Sequence, residues 1–360
     1  MKQHDFEKYL RKNPAPVTAG GGARCFAVVP AYDEEAELPG TLKSVYAAAE
    51  NAGERVAVIC VVNEPAGTDN GSSLRTIRMI EKSFPQVQII YLPGFTGGVG
   101  GARKAGMDSA VQTAGNVDEL CRTVICSIDA DTEISPEYFR KVIPFVRGNG
   151  GAATIGFRHR AGSDAVSQRA ITEYERYLFR YVDKLKEASS PYAFFTIGSA
   201  FAVRGDAYVA SGGMRVRQAG EDFYFLQAAA KRSKVVPLDE ILVYPSPRVS
   251  SRVPFGTGPS VAELTAGGVL DELSDEAFEE LGRLLTCAAD ENLKNPAAFR
   301  QNVSGRAEEF LLKENFFNVW EKILKNLPDD AGRRRKAFDD WFDGLKTLRF
   351  LHFADGRRRK

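Results

Sequence analysis

Apolar and polar residues alternate in blocks along the first 150 residues of the chain. Short apolar runs rich in β-branched residues predict buried strands, and the amphipathic segments between them predict helices. The predicted strands are 25–30, 56–62, 87–92 and 124–128, and the predicted helices are 33–53, 72–84 and 100–114. Strands that alternate with helices indicate an α/β fold, in which a doubly wound, mainly parallel sheet is flanked by helices.

After residue 150 the pattern becomes less regular, and then it becomes entirely helical. Strands are predicted at 152–157, 194–203, 235–238 and 241–244, and helices at 165–186 and 221–230. From residue 259 onward only helices are predicted, of which 310–327 and 337–353 are the clearest amphipathic ones. We therefore expect a loosely attached leader or linker (1–23), an α/β domain (24–258) with two halves (24–150 and 151–258), and a C-terminal helical extension (259–360).

Composition narrows the class of protein. A formal charge of +1, from 48 Lys+Arg and 47 Asp+Glu, gives no electrostatic reason to expect nucleic acid as a partner. No apolar run approaches the ~20 residues that cross a bilayer. Five cysteines form no C-x-x-C pair, and this odd count without a signal peptide predicts reduced thiols and a cytoplasmic location. The three histidines have no metal-ligand spacing, so no zinc site is expected.

The most informative chemistry follows the fourth predicted strand, where Asp129 and Asp131 flank Ala130. The carboxyl ends of parallel strands form the ligand-binding edge of an open α/β sheet. Two carboxylates held at that edge repel each other and lose solvation, so they favour a compensating cation. Mg²⁺ and Mn²⁺ prefer carboxylate oxygens and bridge to diphosphates. A solvated Asp-containing turn after a strand would have the same short pattern.

Two further segments have the composition of phosphate-binding sites. Gly97 to Gly101 precede a helix with Arg103 and Lys104 in its first turn, and a helix N-terminus favours anions. This arrangement favours a nucleotide or phosphate role over a flexible turn. The loop after the last predicted strand contains Arg248 and Arg252, whose guanidinium groups can bind a pyrophosphate in a bidentate way, although a solvated loop explains them equally well.

In their order along the chain, these motifs resemble those of family-2-type nucleotide-sugar glycosyltransferases with the GT-A fold. Residues 28–35 (VVPAYDEE) are similar to the opening V-P-A-Y-N-E of that family, and residues 97–106 (GGVGGARKAG) to its G-x-x-x-A-R-N-x-G segment, with Lys104 in place of Asn. Asn63 and Glu64 stand where the family often has two Asp residues. Asp129-Ala130-Asp131 and then Gly220-Glu221-Asp222 complete a resemblance that covers residues 24–255.

The resemblance implies a Rossmann-like GT-A domain and a role for each matching residue. Asp222 would be the catalytic base that deprotonates an acceptor hydroxyl, Asp131 would ligate the metal, and Asp129 would contact ribose or metal-bound water. The residues implied in donor and nucleotide binding are Pro30, Ala31, Tyr32, Glu34, Asn63, Gly98, Arg103, Asp129 and Ala130. Those implied on the acceptor side are Gly198, Ser199, Gly213 and Glu221, with Arg248 and Arg252 as candidates for a phosphate-binding loop.

The predicted activity is therefore a metal-dependent glycosyl transfer of the hexosyltransferase type. A divalent cation, Mn²⁺ or Mg²⁺, would assist transfer of a sugar from a nucleoside-diphosphate-sugar donor to the hydroxyl of a sugar or lipid-linked acceptor, with inversion, in cell-envelope glycan or glycolipid synthesis. The Q-x-x-R-W motif of processive synthases is absent from the sequence, which favours single addition.

Two alternatives to a glycosyltransferase stay open. One is a sugar-1-phosphate nucleotidyltransferase, although Pro30-Ala31-Tyr32 replace its Gly- and Lys-rich opening loop. The other is a non-catalytic nucleotide-sugar-binding protein, for which the departures at Asn63 and Lys104 leave room.

The C-terminal helices carry aromatic faces beside the basic clusters 333–336 and 357–360. This pattern favours a helical domain with solvated basic loops. The alternative is peripheral contact with the inner face of a membrane, where the clusters would dock a lipid-linked acceptor. The oligomeric state is not indicated by the sequence.

Overall fold

A computed structural model describes residues 1–16, 22–68, 71–248 and 256–356. The chain forms two compact units, Met1–Tyr174 with Phe194–Gly268, and Glu175–Ala193 with Val269–Lys360. Arg252, residues 17–21 of the predicted leader or linker, and the basic tail (357–360) lie outside the described residues.

The described part of the first unit contains one eight-stranded sheet. Its strands are β1 (Cys25–Ala31), β2 (Val56–Asn63), β3 (Gln88–Leu92), β4 (Val124–Ser127), β5 (Thr132–Ile134), β6 (Gly151–Phe157), β7 (Phe201–Arg204) and β8 (Lys234–Pro245). They are ordered β3-β2-β1-β4-β7-β6-β8-β5. β1, β2, β3 and β4 are parallel, β7 is antiparallel to its neighbours β4 and β6, and β5 is antiparallel to β8. The predicted α/β class with a mainly parallel sheet is confirmed.

The helices described in the first unit lie between these strands or follow them. They are α1 (Gln3–Lys12), α2 (Leu38–Glu50), α3 (Ser72–Ser83), α4 (Gly98–Gln112), α5 (Val117–Arg122), α6 (Tyr138–Gly148), α7 (Ala165–Glu187), α8 (Gly205–Ala210), α9 (Glu221–Arg232) and α10 (Thr257–Thr265). The second half of α7 belongs to the other unit.

Two strand predictions in the second half of this unit are wrong in extent. The predicted strand 194–203 is reduced to β7, because the carbonyl of Gly198 accepts hydrogen bonds from side chains instead of a neighbouring strand. The two predicted strands 235–238 and 241–244 are one continuous strand, β8. Its pairing with β6 shifts register opposite Ile155 to Phe157, and this irregularity absorbs the polar residues between the two apolar runs.

The prediction of a loosely attached leader is wrong for α1. Phe6 and Tyr9 are only 1% and 7% exposed, because α1 packs them against the unit. Tyr9 donates a hydrogen bond of 2.6 Å to the buried carboxylate of Asp108, which also accepts one of 2.8 Å from Tyr208. Lys104 bonds the same carboxylate at 2.6 Å. A buried acid with three partners therefore holds α1 in place.

The topology brings the carboxyl ends of several strands to one edge of the sheet. Because β7 is antiparallel to both β4 and β6, and β8 is parallel to β6, the chain leaves β4, β6 and β8 at the same edge. It leaves β1 there as well, and the direction of chain progression across the sheet changes between β1 and β4. Crevices at such a switch point bind ligands.

The second unit is helical and has its own aromatic core. Its helices beyond α7 are α11 (Asp275–Cys287), α12 (Asp290–Lys294), α13 (Pro296–Asn302), α14 (Gly305–Lys313), α15 (Phe316–Lys325), α16 (Ala331–Trp341) and α17 (Gly344–Ala354). Leu185 and Ala188 of the 175–193 segment are buried in this core. For that reason the second unit does not begin at the predicted residue 259 but includes part of an earlier helix.

Both long helices predicted in this unit are interrupted. Asn315 has a left-handed backbone (φ 56°) that separates α14 from α15. Asp343 caps α17 by accepting a hydrogen bond of 3.1 Å from the backbone N–H of Lys346. Apolar periodicity continues across these breaks, so it does not reveal them.

The aromatic faces of this unit pack in its core, and three residues of the basic cluster 333–336 form ion pairs within the unit. Phe316, Trp320 and Phe338 are fully buried in the core. Arg334 and Arg335 are paired with Asp329 and Asp339 at 2.6 and 3.0 Å, and Lys336 is paired with Asp340. The aromatic faces therefore form the interior of the unit. No helix within the described ranges combines the length and the apolarity needed to cross a membrane.

Candidate active site

The D-x-D segment is held by its backbone at the ligand-binding edge of the sheet. The carbonyl of Ala130 accepts a hydrogen bond of 2.8 Å from Thr41 of α2. The carbonyl of Asp131 accepts one of 3.1 Å from the backbone N–H of Ser246, just after β8. These contacts anchor the turn, and the carboxylates of Asp129 and Asp131 stay partly exposed, at 35% and 23%.

Arg103, on α4, is the centre of a buried network behind this segment. Its side chain is 2% exposed, and its Nη2 donates to Asp129 at 2.8 Å. Its Nε and Nη2 both donate to Glu221 at 3.3 Å. Nη1 donates to the carbonyl of Gly198 at 3.1 Å and to the hydroxyl of Ser127. One guanidinium group thus joins the D-x-D segment to the start of α9.

Arg248 forms a second bridge on the outer side of the D-x-D segment. Its Nε donates to Asp131 at 3.0 Å, and its Nη2 donates to Glu34, in the loop after β1. Glu34 is nearly buried (7% exposed), whereas Arg248 is 30% exposed. Nearby, Arg160 donates to the carbonyl of Asp131 at 3.2 Å. A cation therefore already faces the carboxylate that the sequence predicts as a metal ligand.

Asp222 lies in the first turn of α9, beside Glu221. Gly220 begins the helix from a left-handed backbone (φ 69°), which favours glycine at that position. Burial, together with the negative charges of Glu221 and Asp129, raises the pKa of Asp222 to about 7, although a hydrogen bond from the backbone N–H of Phe223 and the charge of Arg103 act in the opposite direction. That bond is 2.7 Å long, and its acceptor is Oδ1 of Asp222.

The glycine cluster at the start of α4 packs against another segment of the protein, at the place where the sequence predicts a phosphate. A Cβ atom at Gly100 would lie 2.7 Å from the carbonyl oxygen of Arg217, which also accepts a 3.2 Å hydrogen bond from the N–H of Gly100. A Cβ atom at Gly98 would lie 2.9 Å from the Cα of Gln218. The segment before α9 therefore covers the N-terminus of α4, so the predicted role of Gly98 in binding the donor is not supported by these contacts.

Other predicted site residues are divided between the edge and the interior. Tyr32 is half-buried just after β1, and Asn63 ends β2, so both lie beside the switch point. Pro30 and Ala31 are buried within β1, and Ser199 is buried in the turn before β7. A Cβ atom at Gly213 would lie 2.1 Å from the hydroxyl of Tyr9, so Gly213 packs against α1 and its predicted acceptor role is not supported.

The sequence-based reasoning missed Ser127, and it predicted a donor contact for Arg103, whose described hydrogen bonds all go to protein groups. Ser127 ends β4 two residues before Asp129, and its hydroxyl donates to the carbonyl of Gly198 at 2.6 Å. A buried hydroxyl at the carboxyl end of a strand was the available signal. Lys104, which replaces the Asn of the family motif, bonds Asn13 and Asp108 on the side of α1, so this departure does not alter the D-x-D network.

The donor atoms at this edge suit a hard divalent cation, but they are not prearranged around one. Within the described residues, no group of three or more His, Cys, Asp or Glu side chains is arranged to hold a metal ion. The described network nevertheless contains five carboxylates (Glu34, Asp129, Asp131, Glu221 and Asp222) against the guanidinium groups of Arg103 and Arg248. The carboxylates outnumber the guanidinium groups. Such a set of oxygen ligands would suit Mg²⁺ or Mn²⁺ if the ion pair between Arg248 and Asp131 opened.

Comparisons with solved structures find similar chains at low sequence identity. The fragment 1-349 of S. aureus TarS, in complex with UDP-GlcNAc, is 14% identical, with 94% of this chain and 93% of that fragment covered and a TM-score of 0.46. The mannosyltransferase PcManGT from Pyrobaculum calidifontis, in complex with GDP-Man and Mn²⁺, is 13% identical, with 94% and 93% covered and a TM-score of 0.44. Glucosyl-3-phosphoglycerate synthase from Mycobacterium tuberculosis, in complex with Mn²⁺ and UDP-Glc, is 11% identical, with 72% and 79% covered and a TM-score of 0.38.

A comparison with curated proteins finds no match. The sequence model described as "Glycosyl transferase family 2" matches residues 26–211, which is 186 of the 360 residues. The matched range includes all of β1 except Cys25, the D-x-D segment and Gly198, so it covers most of the network described above. The chain therefore belongs to glycosyl transferase family 2, and it is a glycosyltransferase.

Proposed function

We propose that this glycosyltransferase moves a sugar from a nucleoside-diphosphate-sugar to an acceptor hydroxyl by a single, inverting displacement that depends on a divalent cation. The observation that carries the proposal is the pairing of two acidic motifs through one buried guanidinium group. Arg103 contacts Asp129 of the D-x-D motif and Glu221, the neighbour of Asp222. One hydrogen-bonded network would therefore connect the acids proposed for the donor side with those proposed for the acceptor side.

Asp222 has the properties of a general base. A base works best when its pKa lies near the working pH, and burial raises the pKa of Asp222 to about 7. Its carboxylate would take the proton from the acceptor hydroxyl as that oxygen bonds to the anomeric carbon. The bond from this carbon to the diphosphate oxygen breaks in the same step. Attack opposite the leaving group inverts the anomeric configuration.

The donor side would be formed by the residues around the β1–β4 switch point. Tyr32 and Asn63 lie where the nucleotide would bind, and Asn63 offers an amide where the family often has an acid. Asp131 and Asp129 would hold the divalent cation, which offsets the charge of the leaving diphosphate. Arg248, once free of Asp131, would offer its planar N–H groups to a phosphate.

The acceptor would approach from the side of Ser199 and the start of α9. A sugar or a lipid-linked hydroxyl fits this proposal, and single addition accords with the absence of the processive Q-x-x-R-W motif from the sequence. The family match favours sugar transfer over the activity of a sugar-1-phosphate nucleotidyltransferase, because the matched family transfers glycosyl groups.

Binding of nucleotides with and without metal tests this proposal. UDP, GDP, UDP-glucose and GDP-mannose are titrated by calorimetry and thermal shift, each with and without MnCl₂. We expect one base to bind in a manganese-dependent way, which at 100-fold excess over its Kd stabilises the fold by about 2.7 kcal/mol. Asp131→Ala should abolish the manganese dependence and keep the fold.

A matched control is Glu133→Ala, since Glu133 is a nearby, 42% exposed acid paired with Arg160. This variant should bind nucleotide and manganese as the wild type does. Manganese-dependent binding by Asp131→Ala equal to that of the wild type would reject the metal role. Absence of binding by the wild type to every nucleotide tested would reject the proposal as a whole.

A further inference from the structure

We propose that Arg103 is a positioning residue, which keeps the base Asp222 aligned with the donor by clamping the D-x-D segment to the start of α9. This inference rests on the proposed function, and it gives Arg103 a different role from the donor contact expected from the sequence. Its guanidinium group links segments that are far apart along the chain: the end of β4, the turn before β7 and the start of α9.

The N–H groups of Arg103 are all used in hydrogen bonds to the protein, so none remains for a donor phosphate. A guanidinium group has five N–H donors in a fixed plane. Nε makes one hydrogen bond, and Nη1 and Nη2 make two each, with acceptors that all belong to the protein. At 2% exposure the side chain is also closed to ligands. A lysine has three N–H donors on one nitrogen, so it cannot reproduce the five hydrogen bonds that the planar guanidinium group makes from three nitrogens.

Gly198 is shaped to admit this guanidinium group. A Cβ atom at Gly198 would lie 2.6 Å from Nη2 of Arg103 and 3.5 Å from Oδ2 of Asp129. Its carbonyl accepts hydrogen bonds from both Arg103 and Ser127. The predicted acceptor-side glycine is therefore part of the clamp, and its missing side chain makes room for the Arg103–Asp129 contact.

The clamp acts on Asp222 through its neighbour in the chain. Glu221 is 4% exposed and is bound by two N–H groups of Arg103, so its side chain is fixed in the interior. Asp222 follows it in the first turn of α9, and its direction depends on where that turn begins. If the start of α9 moves by ~1 Å, a loss of ~10²-fold in rate is the expected scale, because attack requires close alignment.

The test separates a positioning role from a donor contact and from a purely structural role. Arg103→Lys is compared with the wild type in manganese-dependent binding of UDP and GDP, and in release of UDP from UDP-glucose or GDP from GDP-mannose with water as acceptor. We expect kcat per folded molecule to fall at least ~10²-fold, with the nucleotide Kd changed by less than ~3-fold. A Kd that rises in parallel with the loss of rate means a donor contact and overturns the inference. An unchanged kcat means a structural role only, and also overturns it.

Gly198→Ala provides a second variant, which moves the guanidinium group without removing its charge. It should reproduce the kcat loss with an unchanged Kd. Gly148→Ala is the matched control, because a Cβ atom there meets nothing within 4 Å, and it should behave as the wild type. A fully active Gly198→Ala variant counts against the clamp even if Arg103→Lys fails to fold. A wild type that binds no nucleotide and releases no UDP or GDP from the donors refutes the proposed function instead, and this inference falls with it.

Discussion

Replacing Asp222 by asparagine should make the enzyme nearly inactive and, above neutral pH, more stable. Burial is the main reason that the pKa of Asp222 rises from 3.8 to about 7, so the ionised carboxylate is held at a cost. At ~1.36 kcal/mol per pKa unit, this rise sets an upper limit of roughly 4 kcal/mol. The amide that replaces the carboxylate is itself a partly buried polar group, so we expect a gain of about 1–3 kcal/mol.

The sign of this effect depends on pH. The folded protein binds the proton of Asp222 more tightly than the unfolded chain does, because the pKa is raised on folding. The stability that proton binding to Asp222 contributes is therefore fully present below about pH 4, declines as the pH rises, and is lost above about pH 7. The advantage of Asp222→Asn over the wild type should be absent at pH 4 and complete at pH 8.5.

The assay must report on the unit that contains Asp222. Both tryptophans of the chain, Trp320 and Trp341, lie in the helical unit, so their fluorescence follows the other unit. Chemical denaturation followed by circular dichroism at several pH values, with fluorescence recorded in parallel, separates the two transitions. Equal stability of the two proteins at pH 8.5 would refute the claim that this carboxylate is buried at a cost.

The catalytic side of the same substitution is measured with the donor selected by the binding screen. Loss of a general base lowers kcat by ~10²–10⁴-fold. The rate of the wild type should rise with pH through about 7, following ionisation of Asp222, and the rate of Asp222→Asn should be flat over that range. A variant that keeps both the rate and the pH profile of the wild type would assign the base elsewhere.

Three further substitutions test the packing. Tyr9→Phe removes one of the hydrogen bonds to the buried carboxylate of Asp108 and should destabilise the first unit by about 1–2 kcal/mol, measured by urea denaturation. Trp320→Ala empties a fully buried site in the helical unit and should cost about 3–5 kcal/mol, seen as a lower Tm of that unit alone. Gly100→Ala places a Cβ 2.7 Å from the carbonyl of Arg217 and should cost about 1–3 kcal/mol of stability while lowering kcat, since the segment leading to α9 must move.

Each of these has a control within the chain. Tyr244→Phe removes a partly exposed hydroxyl elsewhere and should be nearly neutral. An equal loss from Tyr9→Phe and Tyr244→Phe would mean that α1 does not depend on the Asp108 cluster. Leu312→Ala, at a 46% exposed position of α14, is the reference for Trp320→Ala. Gly148→Ala is the control for Gly100→Ala. Equal kcat values for these two variants would contradict a role for the close approach between Gly100 and the carbonyl of Arg217.

The sequence was sufficient to predict the α/β class and the edge of the sheet where the chemistry lies. Buried parallel strands require nearly continuous apolar runs, and connections through helices bring their carboxyl ends to one edge. The position of Asp129 and Asp131 at this edge, just after β4, therefore follows from connectivity, whereas their roles stay predictions. The bounds of α3, β2 and α9 also lie within a few residues of the prediction, because each element ends where its own apolar pattern ends.

The partners of the charged side chains were decided only by the tertiary structure. Arg103 lies near the start of a glycine-rich helix, where local chemistry predicts a phosphate, yet its acceptors come from segments distant in sequence. The docking of α1 was hidden for the same reason, since its contacts, among them the hydrogen bond from Tyr9 to Asp108, are made to distant segments of the chain. Periodicity reports which face of an element is buried. It carries no information about which distant group completes a buried charge, because that choice is made when the elements pack.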